Sequence, residues 1–258
     1  GRLWVATLGR IYQWDQISTE VTSVPIPDPH FRYALFFFED ENGLWTGGGG
    51  GLYRLESDEF KCVLPDKQLK KMLPDGQGNY FLASLGQGLM VWHPEHGLLN
   101  TFSMNTPQSL PNDHIFDIRR DAKGRLWLGT RGGLAALEPG PEPHIRSIPF
   151  RSNETGGIVP IECQSLLFQG NRGWLTTYGQ GLFTFNLAEN LADIRLEQSM
   201  LQLPTPNLMT LAEDPQKHIW ISSLLGLYRL NEDQTGYQGF FQADGLQDNE
   251  FNGGAFLA

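Results

Sequence analysis

Apolar positions along this chain come in short alternating runs, cut apart by glycine, proline and aspartate. Alternation with a period of two predicts strands, and the punctuation leaves no room for long helices. One order recurs: an alternating run with an aromatic residue, a glycine turn, then a second apolar run. It is seen in GRLWVATLGRIYQW from Gly1, NGLWTGGGGGLYRL from Asn42, GNYFLASLGQGLMVW from Gly78, GRLWLGTRGGLAAL from Gly124, RGWLTTYGQGLFTF from Arg172 and HIWISSLLGLYRL from His218. The aromatic anchors are Trp4, Trp45, Phe81, Trp127, Trp174 and Trp220, and two residues after each stands a small one: Ala6, Gly47, Ala83, Gly129, Thr176 and Ser222.

The anchors are 41, 36, 46, 47 and 46 residues apart. Short strands at such a period predict an all-β fold, a β-propeller of about six repeat units within a single domain over residues 1–258. Six blades are expected if the ring closes on itself; otherwise the chain is part of a seven-bladed propeller. The fourth unit is the clearest. It predicts a first strand over His114–Arg119, a tight turn at Asp121–Gly124, a second strand over Leu126–Thr130, a turn at Arg131–Gly133 and a third strand over Leu134–Leu137. Aspartate in such a turn bonds its own backbone and glycine takes the left-handed position. Equivalent turns stand at Asp40–Gly43 and Asp75–Gly78; the fifth unit uses Gln169–Gly173, and the sixth has Asp214 but no glycine before His218. The anchors are expected in the core, each large ring seated over a small residue of a neighbouring blade.

The five glycines Gly47–Gly51 invite comparison with a phosphate-binding loop. Such a loop lies between a strand and a helix and carries a Gly-Lys-Ser/Thr sequence. Here LYRL follows, and no Gly-Lys-Ser/Thr occurs in the chain. The run reads instead as a hairpin turn. The chain begins at GRLW, partway through a unit, and ends in NEFNGGAFLA from Asn249, which resembles a first strand without its turn. Closure by the two ends together is one expectation, and a piece of a larger propeller is the other.

The formal charge of −10 argues against nucleic acid as a partner, since phosphate contacts need clustered Lys and Arg. No apolar run approaches the length of a membrane span. Cys62 and Cys163 belong to different units and are expected as free thiols. His93 and His96 lie in WHPEHG, which reads as a turn, and no further metal ligands stand at matched spacing. ADGLQDNEFN from Ala243 lacks the order of a calcium loop and reads as a loop with capping aspartates. No catalytic motif occurs, and neither a metal nor a cofactor is expected.

The stretch LPNDHIFDIRRDAKGRLWLGTRGGLAAL from Leu110 resembles the repeat of two-component regulator propellers, and FFQADGLQDNEFNGGAFLA from Phe240 resembles the last stretch of such a propeller. The resemblance covers nearly the whole chain. It is degenerate in the third unit, where Phe81 replaces Trp, and in the fifth, where the Asp turn is altered. It implies the periplasmic sensor region of a bacterial hybrid histidine kinase or diguanylate cyclase, non-catalytic in itself. The implied ligand is a small molecule or an oligosaccharide, and the parent receptor is expected as a homodimer. Two other readings stand beside it: a protein-binding scaffold, and a propeller lyase or hydrolase with polar residues converging on the axis, for which the first strands supply no repeated set.

If a ligand binds, the turns between second and third strands and the loops leading into first strands share one face. The candidates are Gln87, Arg131, Tyr178 and Gln180 in the turns, with Asn112, His114, Asn207 and Asn249 in the loops. Tyr178 offers a stacking face with a hydroxyl, and Arg131 a planar donor fork.

Overall fold

A computed structural model describes residues 2–107, 109–138, 144–151 and 156–251. Apart from 3-10 turns at Leu191–Asp193 and Gln242–Asp244, every regular element among them is a strand, in two compact units, Gly1–Ser103 and Met104–Ala258. In the first unit β1 (Arg2–Thr7), β2 (Arg10–Asp15) and β3 (Val21–Val24) form a three-stranded sheet. There β4 (Tyr33–Asp40), β5 (Gly43–Glu56), β6 (Glu59–Pro74), β7 (Tyr80–Ser84), β8 (Leu89–His93) and β9 (Gly97–Phe102) form a second sheet, of six strands. The second unit opens with β10 (Ile115–Arg120), β11 (Leu126–Thr130), β12 (Gly133–Glu138) and β13 (His144–Ile148), then a ribbon of β14 (Phe150–Arg151) and β15 (Ile158–Val159). Two further four-stranded sheets follow: β16 (Cys163–Gln169), β17 (Arg172–Thr177), β18 (Gly181–Asn186) and β19 (Glu197–Gln198), then β20 (Leu208–Glu213), β21 (Ile219–Ser223), β22 (Gly226–Leu230) and β23 (Tyr237–Phe240). Each sheet is an antiparallel meander in sequence order.

The expected strands of the fourth unit appear as β10, β11 and β12, shifted by at most one residue at an end. The blade count is corrected. Six sequence units give five blade sheets among the described residues, neither six nor seven. The second and third units merge because β6 runs through both, pairing with β5 over its first half and with β7 over its second, with Gln68 opposite Gly49. A left-handed bend at Asp66 (φ 59°) is the only positive-φ position between its halves. The expected first strand from Asn249 to Ala258 lies outside the described residues beyond Phe251, whose amide donates to the Ser223 carbonyl at 3.0 Å.

The glycine run makes the predicted turn inside β5. The Arg54 guanidinium donates to the Asn42 carbonyl and lies 5.2 Å over the Trp45 ring. An extended run from Asn42 to Arg54 would span roughly 40 Å, so β5 doubles back on itself. Gly50 (φ 117°) and Gly51 (φ 150°) supply the conformation. A Cβ on Gly48 would lie 2.0 Å from the Tyr33 carbonyl oxygen, so close backbone approach demands glycine as well.

The Asp turns carry more than their own backbone. Asp121 Oδ1 accepts the amides of Lys123 (2.9 Å) and Arg125 (3.0 Å), while Oδ2 accepts Arg125 Nε (2.7 Å) and the Trp127 indole (2.9 Å). The same carboxylate–indole bond joins Asp40 to Trp45 (3.1 Å) and Asp214 to Trp220 (2.9 Å). Where Gln169 replaces the aspartate, the buried Trp174 indole N–H has no partner. Where Phe81 replaces tryptophan, Asp75 takes the Asn79 amide group instead, at 2.6 Å. Lys217 (φ 71°) occupies the left-handed position that glycine fills elsewhere.

Trp127 meets Phe168 and Phe185 of the following sheet at 5.6 and 5.1 Å between centroids, and Trp4 meets Phe37 and Phe60. Trp45, Trp127 and Trp174 are almost wholly buried; Trp4, Phe81 and Trp220 are half-buried. The rings of Trp4 and Trp127 thus meet large aromatic side chains of the neighbouring sheet. The small residue admits the start of the neighbour's first strand: a Cβ on Gly129 would sit 2.8 Å from Cys163 Sγ. The first strands β4, β10, β16 and β20 carry a register shift near their start, and β6 carries one near the start of its second half. Such bulges bend a strand and free ladder groups. Buried Asp117 accepts the Leu166 amide (2.9 Å) and Ser165 Oγ (3.3 Å), and Ser165 Oγ accepts the Leu211 amide (3.2 Å). This chain of bonds ties β10, β16 and β20 together. Both cysteines are free, Cys163 buried and Cys62 half-buried.

Two predictions follow from the turns. Asp121→Ala strips the buried Arg125 of its carboxylate and the Trp127 indole of its acceptor. Breaking a buried pair from one side costs about 3–5 kcal/mol, a loss that denaturant unfolding will register. Burial opposes ionisation of Asp214, but the Trp220 indole and the His218 ring and amide outweigh it and bring the carboxyl down to about 2 from 3.8. Its folded value lies below its unfolded one, so its stabilisation is present above about 3.8 and is lost as pH falls through about 2. Asp214→Asn is expected to flatten the fall of the melting temperature over that interval relative to wild type.

Candidate functional site

Within each meander the Asp turn and the turn between second and third strands lie at opposite ends. The second of these ends holds the candidates. In the second unit, strand-end amides bond back to the loops before first strands: Arg131 to the His114 carbonyl and Tyr178 to the Glu162 carbonyl, both at 3.0 Å. The turn after β17 also reaches the next sheet, with Gly181 donating to the Pro206 carbonyl at 3.0 Å. Backbone bonds of this kind fix the turns and leave their side chains to other partners.

Glu162 is the residue that sequence reading missed. Its carboxylate accepts Gln164 Nε2 at 2.9 Å and pairs with Arg131 Nε at 3.4 Å. A lone carboxylate in IVPIECQ carries no motif, so only the fold reveals it. Arg131 is therefore not a free fork: Nε is engaged across the gap between two sheets, and its side chain stays 58% exposed. Tyr178 is 48% exposed in the turn after β17, its amide held by the backbone of Glu162.

Gln180 donates to the Pro160 carbonyl at 3.2 Å, and its own carbonyl accepts Gln198 Nε2 at 2.8 Å. Its side-chain Oε1 is buried with no partner. It lines a cleft of about 960 Å³ together with Gln198, Gln202, Leu182, Leu201 and Phe150. Amide groups on apolar walls suit a ligand with both hydroxyl and carbon faces.

The loop candidates are mostly used locally. Asn112 Oδ1 accepts the His114 amide at 2.9 Å, Asn207 receives the Leu224 amide on its carbonyl at 3.4 Å, and Asn249 Oδ1 accepts the Gln242 amide at 2.7 Å. Gln87 belongs to the first unit, with its amide bonded to Ser84 Oγ at 2.9 Å. His93 and His96 stack at 4.4 Å, with His93 Nδ1 accepting two backbone amides of the turn. The acidic segment is a capped loop, as expected: Asp244 accepts the Phe241 amide at 2.9 Å.

Residues 109–132 match the family model described as two component regulator propeller. The chain carries a regulator propeller repeat. The match spans Asn112, His114, the Asp121 turn, Trp127 and Arg131. Over 208 residues, 78% of this chain, it is 25% identical to histidine kinase P4 of Formosa agariphila, and it spans 15% of that protein. Among solved structures, PorZ of the type-IX secretion system of Porphyromonas gingivalis superposes with a TM-score of 0.71 at 16% identity, over 97% of this chain and 42% of that one. The extracellular domain of BT3049 from B. thetaiotaomicron, assigned to a hybrid two component system, gives 0.58 at 14% identity, over 96% and 39%. A streptogramin B lyase gives 0.68 at 15% identity, over 98% and 83%. At such identities these superpositions establish the fold, an all-β propeller. The repeat match covers residues 109–132, and the likeness to the extracellular domain of BT3049 is one of fold. No described helix is long and apolar enough to cross a membrane.

Proposed function

We propose that this regulator propeller is the ligand-sensing, non-catalytic part of a periplasmic receptor ectodomain. Occupancy would pass to a kinase or cyclase output domain elsewhere in the parent protein. The match of residues 109–132 to the regulator propeller repeat carries this reading. The cleft beside Gln180 supports it, because an orphaned buried acceptor is costly until a donor meets it. A small-molecule or oligosaccharide ligand would lie along the face of Gln180, Tyr178 and Arg131, with His114 and Asn112 at its margin. Signalling requires that the ligand bind one arrangement of the propeller better than another. The packing of anchor rings such as Trp127 on the next sheet offers such arrangements. The formal charge of −10 speaks against nucleic acid. A homodimer of the parent receptor belongs to the same reading. The lyase likeness is one of fold, and function resides in sites rather than folds.

Thermal unfolding against oligosaccharides, organic acids and amino acids tests this. A ligand at about 100 times its Kd stabilises by about 2.7 kcal/mol. A selective rise in Tm that Tyr178→Ala, Arg131→Ala and Gln180→Ala together abolish is the expected result. A cooperative transition that no compound moves would turn the reading toward a protein-binding scaffold.

A further inference from the structure

Three arginines of this acidic chain line one cleft, and no described carboxylate is ion-paired with them. Arg146 lies on β13, Arg151 on β14, and Arg195 follows the 3-10 turn at Leu191–Asp193. Together with Ser147, Ile194 and Leu196 they line a cleft of about 470 Å³. Arg195 Nη1 donates to the carbonyls of Ala192 (2.6 Å) and Ile194 (2.9 Å), and Arg151 Nη1 to that of Gly156 (3.3 Å). These bonds go to backbone oxygens and cancel no charge. Arg146 makes neither a hydrogen bond nor an ion pair with any described residue, although it is half-buried. Elsewhere cations of the chain do find carboxylates: Lys61, Lys123, Arg119, Arg125, Arg131 and Lys217. Among the described residues the lining holds one carboxylate, the exposed Glu197, which pairs with none of the three.

A chain with 19 basic and 29 acidic residues has ample carboxylate to pair such a cluster. Like charges in one concavity raise the local potential and attract a counter-charge from solution. Guanidinium groups present forked donors that fit carboxylate, sulfate and phosphate oxygens. We propose that this cleft is an anion-binding site for a compact ligand bearing two or more oxyanion groups, carboxylates or sulfate or phosphate esters. Its volume falls in the range of about 300–1,000 Å³ usual for small-molecule sites. The apolar floor of Ile194 and Leu196 gives the ligand's carbon frame a surface to cover. The inference does not depend on the sensor reading, since none of its three arginines lines the Gln180 cleft or belongs to the face of Tyr178 and Arg131, although Leu196 and Glu197 border both clefts.

The test is calorimetric titration of the chain with citrate and, separately, with inorganic sulfate, at constant ionic strength, with glycerol as a neutral control. Single-site citrate binding is expected. Arg146→Ala and Arg195→Ala are each expected to weaken it by about tenfold or more, the loss of one desolvated charge-assisted contact. Arg195→Lys, which keeps the charge without the fork, should fall between, and Lys61→Ala, which removes a cation of the first unit paired with Glu56 and Glu59, should bind as wild type. The ratio of citrate to sulfate affinity distinguishes carboxylates from sulfate and phosphate groups as the natural chemistry. Should Arg146→Ala fail to fold, the exposed Arg195 carries the test. Absence of both citrate and sulfate binding at millimolar concentration overturns the proposal. So does binding that is unchanged in Arg195→Ala.

Discussion

A hydrogen bond from a tryptophan indole to the aspartate that begins a hairpin turn links local and tertiary structure in this chain. The aspartate fixes the turn by accepting backbone amides, and its second oxygen holds the ring that packs on the next sheet. Turn geometry and sheet-to-sheet packing therefore share one carboxylate. The bond recurs at Asp40, Asp121 and Asp214. A buried carboxylate of this kind is tolerable because every oxygen is engaged. Arg125 adds a cation to the same group, reaches the Ala188 carbonyl at 2.7 Å, and stays buried. In the sixth unit His218 stands in its place, 2.9 Å from Asp214.

With one end of three of the hairpins held this way, the other end is left to vary. There the turns are fixed by backbone bonds, and the side chains differ from unit to unit: Gln87, Arg131, Tyr178, Gln180. That division suits a recognition module, in which a repeated framework carries an unrepeated surface. The fifth unit departs most from the pattern. It lacks the aspartate, leaves the Trp174 indole unpartnered, and has an outer strand, β19, of only two residues. Both clefts of the second unit border that short strand: Glu197 and Leu196 line each of them. The shortened strand thus leaves room for clefts along this side of the sheet.

Much of the framework was legible in the residues. Alternation and the recurring anchor placed the strands of the fourth unit to within a residue, and the Asp–Gly turns formed where expected. The sheet count was not legible, because the continuity of β6 depends on backbone register between Gly49 and Gln68, which no residue type announces. The fivefold bulge in the first strands was hidden for the same reason. The spacing of five or six residues from aspartate to tryptophan was visible, but its meaning, a bond between side chains, appeared only in three dimensions. Of the site, the turn residues could be named from topology. Glu162, the partner of Arg131, and the arginine cleft could not, since Arg146, Arg151 and Arg195 come from segments far apart in pattern and brought together by irregular chain.

The indole proton resonances of the tryptophans, assigned by Trp→Phe substitution, test the carboxylate–indole bond most directly. An indole N–H donated to a carboxylate resonates downfield of one without a partner. The protons of Trp45, Trp127 and Trp220 should lie downfield of that of Trp174, and Asp214→Ala should move the Trp220 proton upfield while leaving Trp174 in place. If Trp174 resonates with the other three, or if the Trp220 proton ignores the loss of Asp214, the shared carboxylate does not join turn to packing in this fold.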